Sequence, residues 1–234
     1  MPDATLTALA VGQVGASDRN YPFFAPDFDL KPFGFVLEEF SIEGKANIHD
    51  TPAPNGGTGE NTAATPSANV VTPDVPYKSR IIVVRPESAA KFNGTVIVEW
   101  LNVTNSYDTP VQFLQQKELI LRKGYAWVGV SAQNAGISTT NGLKNWSPTR
   151  YGSLDVTNGG TVTGDLLGYD IFSQAAKAIR SPKNMGGLGA KRVIATGASQ
   201  SAGRLGIYLN SVHALTDVFD GALMTIGGAV CAPT

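Results

Sequence analysis

The clearest chemistry in this 234-residue chain lies in five residues, Gly197-Ala198-Ser199-Gln200-Ser201. A serine hydroxyl is a weak nucleophile until an adjacent base takes its proton. Held at the tip of a strained strand-to-helix turn, it stands clear of the backbone and beside the first N–H groups of a helix. Such a turn requires small residues two positions either side, because strand and helix must approach closely. Gly197 and Ser201 both meet that need. The Gln200 N–H would then stabilise the oxyanion formed when Ser199 attacks a carbonyl. The window shifted by two, Ser199-Gln-Ser201-Ala-Gly203, also fits the pattern, so Ser201 is a rival nucleophile. Ser199 is preferred because the apolar strand ends at Gly197, leaving a two-residue step to the tip. The bland alternative is a serine that only caps a helix.

A cofactor reading competes for the same segment. Thr196-Gly-Ala-Ser-Gln-Ser-Ala-Gly203 nearly matches the TGxxxGxG phosphate loop of short-chain dehydrogenases. Ser201 occupies the middle glycine position, where a side chain would obstruct a pyrophosphate. That loop should also open a dinucleotide fold and be followed by an acidic ribose ligand. Only about thirty residues follow it here, without a Tyr-x-x-x-Lys pair, so no cofactor is expected.

The elements that must position Ser199 can be read from periodicity. Ser79–Arg85, Thr95–Leu101, Tyr125–Ser131, Arg192–Gly197 and Asp220–Gly228 are short runs rich in β-branched and aromatic residues. Continuous runs of this kind suit strands covered on both faces, as in a parallel sheet. Between them lie three helices. The first has Thr109 as N-cap, Pro110 at its first position and Gly124 beyond its end. The second places Leu167, Ile171, Phe172, Ala175, Ala178 and Ile179 on one side. The third runs from Ser199 to about Asn210. Alternation of this kind predicts an α/β fold, a mostly parallel sheet with helices on both faces. The functional loops then lie beyond the strand C-termini. Asn102–Asp108, the segment from Gln133 onward and Gly197–Ser201 should therefore gather at one edge. Residues 1–77 form a β-rich extension whose Pro- and Gly-rich part, 51–76, reads as a loop, and 78–234 form the α/β portion.

Composition narrows the function. Eighteen Lys and Arg balance nineteen Asp and Glu, and no basic run is present, which argues against nucleic-acid binding. No apolar stretch reaches the roughly 18–20 residues needed to span a bilayer. The single cysteine, Cys231, offers neither a disulfide nor a metal cluster. Met1-Pro2-Asp3 lacks the features of a signal peptide. Charged residues make up only 16% of the chain, and a surface of neutral polar residues leans towards a secreted or periplasmic protein.

The blocks Val96–Thr104, Gly124–Gln133, Tyr169–Ala175, Gly197–Leu205 and Phe219–Leu223, in that order, resemble the bacterial "alpha/beta hydrolase domain-containing protein" family of serine esterases. The resemblance covers about 80–230. It implies that Ser199 is the nucleophile and the Gln200 N–H one oxyanion donor, with the second from the loop Asn102-Val103-Thr104. It further implies a small-molecule ester substrate. Asn102, Trp146, Tyr151 and Arg204 are candidate substrate contacts, from their place at the predicted edge or in the long 133–163 segment.

One departure stands out. The hydrolase triad runs serine, acid, histidine along the chain. Downstream of Ser199 stand His213, Asp217 and Asp220, in the wrong order. His213 falls about four helical turns past the elbow, at 1.5 Å per residue, and His49 lies in the β-rich start. The acid and base are thus expected outside these residues, in missing C-terminal strands or on a second chain. A non-catalytic scaffold of the same fold is the alternative.

Overall fold

The computed structural model describes residues 1–51 and 68–227. Seven strands form one sheet: β1 (Thr5–Leu9), β2 (Phe35–His49), β3 (Val70–Pro86), β4 (Thr95–Trp100), β5 (Ala126–Val130), β6 (Arg192–Ala198) and β7 (Gly221–Thr225). Their spatial order is β1-β2-β3-β5-β4-β6-β7. Strands β5, β4, β6 and β7 pair in parallel, whereas β1, β2 and β3 join by antiparallel ladders. The expected α/β sheet is present, and the β-rich extension continues it as an antiparallel wing.

The strand order places β4, β5, β6 and β7 with their C-terminal ends on one edge. Side chains alternate across the sheet as the pleat requires. Ile81, Val83, Val96, Val98 and Val128 face one core, shared with helices α5 (Gly168–Ile179) and α6 (Gln200–Ile207). Ile82, Val84 and Trp127 face the other, against Phe113, Ile120 and Leu121 of α1 (Val111–Lys123). The sheet therefore carries helices on both faces.

Four expectations need correction. Strand β3 begins at Val70, so residues 70–76 of the expected 51–76 loop are strand; 52–67 lie outside the described residues. Pro73 and Pro76 disguise it, yet both are accommodated because this part of β3 pairs only with β2; the ladder to β5 spans Ile81–Val84. The cap of α1 is Pro110, not Thr109, and its N-terminal N–H groups are held by a buried carboxylate described below. The 133–163 segment holds three short helices, α2 (Asn134–Ser138), α3 (Leu143–Trp146) and α4 (Pro148–Tyr151), each too short to show a period in the sequence. The third predicted helix stops being α-helical at Ile207 and continues as a wider turn over Tyr208–Val212, before α7 (His213–Thr216).

Helix α5 is buried from Gly168 to Ala176, nearly all round rather than along one stripe. Its polar residues are satisfied by neighbouring elements: Asp170 accepts the Asn47 N–H at 2.8 Å, and Gln174 donates to the Lys45 carbonyl at 2.7 Å. The antiparallel wing thus covers the side of α5 that would otherwise meet water.

Candidate active site

Strand β6 ends at Ala198 and α6 opens at Gln200, so Ser199 alone makes the turn. Its backbone sits at φ +55°, ψ −120°, a conformation that L-residues rarely adopt. Neighbouring atoms hold it there. The Ser199 N–H donates to the Thr225 carbonyl at 3.0 Å, on the adjacent strand β7. The Ser201 hydroxyl donates to the Ala198 carbonyl at 2.9 Å and accepts the Ala198 N–H at 3.1 Å. Asn102 donates from Nδ2 to the same carbonyl at 2.9 Å. Gly197 backs directly onto the helix: a Cβ there would stand 2.9 Å from the Ser201 carbonyl oxygen, too close for any side chain.

These contacts separate the two serines. Ser201 is fully buried, and its hydroxyl is engaged as donor and acceptor with Ala198. Ser199 is exposed, and its hydroxyl makes no capping bond to α6. Gln200 is the first residue of that helix, so its N–H has no carbonyl four residues back within the helix.

The loop after β4 faces this turn. It is closed by a reciprocal pair, Asn102 N–H to Thr109 O at 3.1 Å and Thr109 N–H to Asn102 O at 2.8 Å. Within it the Thr104 N–H donates to Asn102 Oδ1 at 3.0 Å, and the Ser106 N–H to the Val103 carbonyl at 2.9 Å. Among the described residues nothing engages the Val103 N–H. The third expected segment joins the same edge: Gln133 accepts from the Trp100 indole at 3.0 Å, and Ser131 donates to Asp108.

The remaining candidates take up supporting positions. Tyr151 is wholly buried rather than lining an open wall; its hydroxyl donates to Glu39 at 2.7 Å and accepts the Phe23 N–H at 2.9 Å. Burial pushes that hydroxyl up to about 12. Trp146 is half-buried and packs edge-on against Tyr21 and Phe23 of the N-terminal segment. Arg204 donates to the Gly164 carbonyl at 3.1 Å and to Asp165 at 3.2 Å. Asp165 in turn accepts the Asn134 N–H at 2.8 Å, so Arg204 ties α6 to the start of α2. Asn102 is buried, with its carboxamide turned towards protein partners at both ends.

Two buried acidic centres support the edge without local sequence signals. Glu99, the penultimate residue of β4, accepts the Gln112 N–H at 2.8 Å, the Phe113 N–H at 3.1 Å and the Trp127 indole at 2.9 Å. It therefore holds the N-terminus of α1, where the helix dipole favours negative charge. Burial nevertheless pushes its carboxyl up to about 7, against the pull of those three donors. The second centre joins Glu39, Arg80, Arg150 and Tyr151. Arg80 donates to Glu39 at 2.7 Å and to the Phe23 carbonyl at 2.6 Å, and stands 3.6 Å from Asp108. Arg150 donates to Glu39 at 2.7 Å and to the Ala10 carbonyl at 2.7 Å. Burial raises Asp108 above the usual carboxylate range, with Arg80 opposing.

Neither histidine is hydrogen bonded to Ser199 among the described residues. His213 faces the Phe219 carbonyl at 3.2 Å through Nε2, and His49 is buried near Asp170, its charged form disfavoured by burial. No group of three His, Cys, Asp or Glu side chains among the described residues is arranged to hold a metal ion. No helix among them is long and apolar enough to cross a membrane. A concavity of about 770 Å³ lies elsewhere, between Phe28, Phe33 and Leu121, and does not include Ser199.

The fold is that of an α/β hydrolase. The chain belongs to the alpha/beta hydrolase domain family, whose model matches residues 10–234. A search of curated protein sequences returned no match. Among solved structures, esterase Est22 is 15% identical with a TM-score of 0.43, the alignment covering 84% of this chain and 46% of that one. A cold-adapted esterase from an Arctic intertidal metagenomic library is 13% identical with a TM-score of 0.42, covering 80% and 60%. A glucuronoyl esterase from Teredinibacter turnerae is 11% identical with a TM-score of 0.40, covering 94% and 45%. The alignments thus span 46%, 60% and 45% of those three chains.

Proposed function

We propose that the chain carries the nucleophile of a serine-dependent carboxylic-ester hydrolase acting on small-molecule esters. Ser199 Oγ attacks the ester carbonyl and gives up its proton to a base. The carbonyl oxygen becomes an oxyanion, received by the N–H groups of Gln200 and Val103. Collapse expels the alcohol and leaves an acyl group on Ser199, which water then hydrolyses to release the acid. Of the two loop candidates, Val103 is the better donor, since the Thr104 N–H is occupied by Asn102. The base and its orienting acid lie outside the described residues in this reading, because neither histidine is hydrogen bonded to Ser199: His213 faces the Phe219 carbonyl, and His49 is buried in the β-rich wing beside Asp170.

The observation that carries this reading is the backbone of Ser199. A residue held at φ +55° at a helix entrance, exposed and not used as a cap, has no structural reason to be serine. A fluorophosphonate probe should label Ser199 in the full-length protein and lose that label in Ser199→Ala. Labelling that survives the change would move the nucleophile elsewhere. A second reading, a scaffold of hydrolase fold without catalysis, is favoured by the lack of a histidine bonded to Ser199 among the described residues. It predicts no labelling at all.

A further inference from the structure

We infer that Asn102 is a positioning residue that fixes the spacing between the two halves of the oxyanion pocket, an inference that rests on the reading of Ser199 above. Asn102 directly follows β4 and Leu101, is 6% exposed, and has its backbone locked on both sides by Thr109. Its carboxamide faces two loops at once. Nδ2 donates to the carbonyl of Ala198, the residue before Ser199, and Oδ1 accepts the N–H of Thr104, the residue after Val103. The partners fix the orientation of the amide: the Ala198 carbonyl can only accept and the Thr104 N–H can only donate.

The other ties on the elbow do not reach this loop. Ser201 holds Ala198 from within α6, and Thr225 holds the Ser199 N–H from β7. Among the described residues, Asn102 supplies the one side-chain hydrogen bond joining the 102–106 loop to the 197–203 turn. Asn102 thereby sets where the Val103 N–H stands relative to the Gln200 N–H. Donors stabilise a developing oxyanion only when they are already placed around it. A displacement of about 1 Å can cost on the order of 10²-fold in rate. Asn102 acts through those two N–H groups, without touching the substrate.

Asn102→Asp tests this with little change in shape. The carboxylate still accepts the Thr104 N–H, but presents an oxygen to the Ala198 carbonyl and repels it. The full-length protein and the variant are compared on a p-nitrophenyl ester for kcat and KM, on a fluorophosphonate for labelling rate, and by amide hydrogen exchange of peptides covering 102–106 and 197–203. We expect kcat and the labelling rate to fall together by about 10–100-fold, with KM little changed, and exchange at 197–203 to speed up. A raised KM with unchanged kcat would make Asn102 a substrate contact and overturn the inference. Unchanged kcat and unchanged exchange at 197–203 would overturn it as well. Should Asn102→Asp fail to fold, Asn102→Ala, which adds no charge, is read by the same criteria. If the unaltered protein neither labels nor hydrolyses, the esterase reading falls and the catalytic role of Asn102 with it. The exchange comparison then decides whether the two loops are coupled at all.

Discussion

Ser201 and Ala198 close on each other across the turn, with the serine hydroxyl donating to the alanine carbonyl at 2.9 Å and accepting its N–H at 3.1 Å. The contact explains how two serines in one short motif take different roles. Ser201 satisfies the Ala198 N–H at the end of β6 and shares the Ala198 carbonyl with Asn102, and it is buried in doing so. Ser199, released from capping, is left exposed. Ser201→Ala leaves the buried Ala198 N–H unpaired, while Asn102 still holds the carbonyl, and should therefore lower stability by about 1–3 kcal/mol. Thermal unfolding would show this as a loss of several degrees. Fluorophosphonate labelling of Ser199 should persist in the folded variant. Retained stability with abolished labelling would instead make Ser201 the reactive group.

The conformation of Ser199 makes a prediction of opposite sign. Glycine adopts φ +55°, ψ −120° without the steric penalty that a Cβ suffers, a penalty on the order of 1–3 kcal/mol. Part of that gain is offset by the greater freedom of glycine in the unfolded chain. Ser199→Gly should thus unfold at a higher denaturant concentration than the parent while losing all ester hydrolysis. A destabilised Ser199→Gly would show that the hydroxyl itself supports the fold.

How much of this was legible in the sequence depended on the range of the interactions. The turn at Ser199, the left-handed glycine ending α1 at Gly124 and the strands β4, β5 and β6 are written in neighbouring residues, and each was found where it was expected. Strand β3 began earlier than expected because Pro73 and Pro76 read as loop, and only the one-sided pairing of that stretch explains their presence. The contact between Asn102 and Ala198 was invisible for another reason: the two residues lie 96 apart in the chain. Tyr151 was misplaced as a pocket residue on similar grounds, since its hydroxyl partner Glu39 is 112 residues distant on β2. Periodicity reports which face a residue occupies, and says nothing of the partner waiting there.

The Glu39–Arg80 pair shows what such long-range contacts imply for stability. Arg80 is 1% exposed and bonds both Glu39 and the Phe23 carbonyl, so it joins β2, β3 and the N-terminal segment. Replacing one member of a buried ion pair leaves the other charge without compensation, at a typical cost of about 3–5 kcal/mol. Arg150 remains beside Glu39, but the buried Asp108 also loses its counter-charge, so Arg80→Met should fall within that range. Urea unfolding gives the value directly. A loss well under 1 kcal/mol would mean that Arg150 alone neutralises Glu39.

Glu99 should write a pH dependence into the fold. Its carboxyl is raised to about 7 by burial, whereas an unfolded glutamate titrates near 4.3. A carboxyl raised by folding binds more protons in the folded state, so stability falls as pH rises through the interval between the two values. The contribution is complete below about pH 4.3 and lost as pH passes 7, a change on the order of 3 kcal/mol. Glu99→Gln removes the titration and keeps the shape. Its amide nitrogen, however, would face one of the donors from Gln112, Phe113 or Trp127. The variant should therefore be clearly less stable than the parent at pH 5, by about 1–3 kcal/mol for the mismatched donor. Between pH 5 and 8 the parent should lose stability relative to the variant, so that the gap closes or reverses. Urea unfolding at both pH values measures the gap. If it stays constant, Glu99 is ionised throughout and its three donors outweigh burial, which would also place a permanent negative charge beneath the N-terminus of α1.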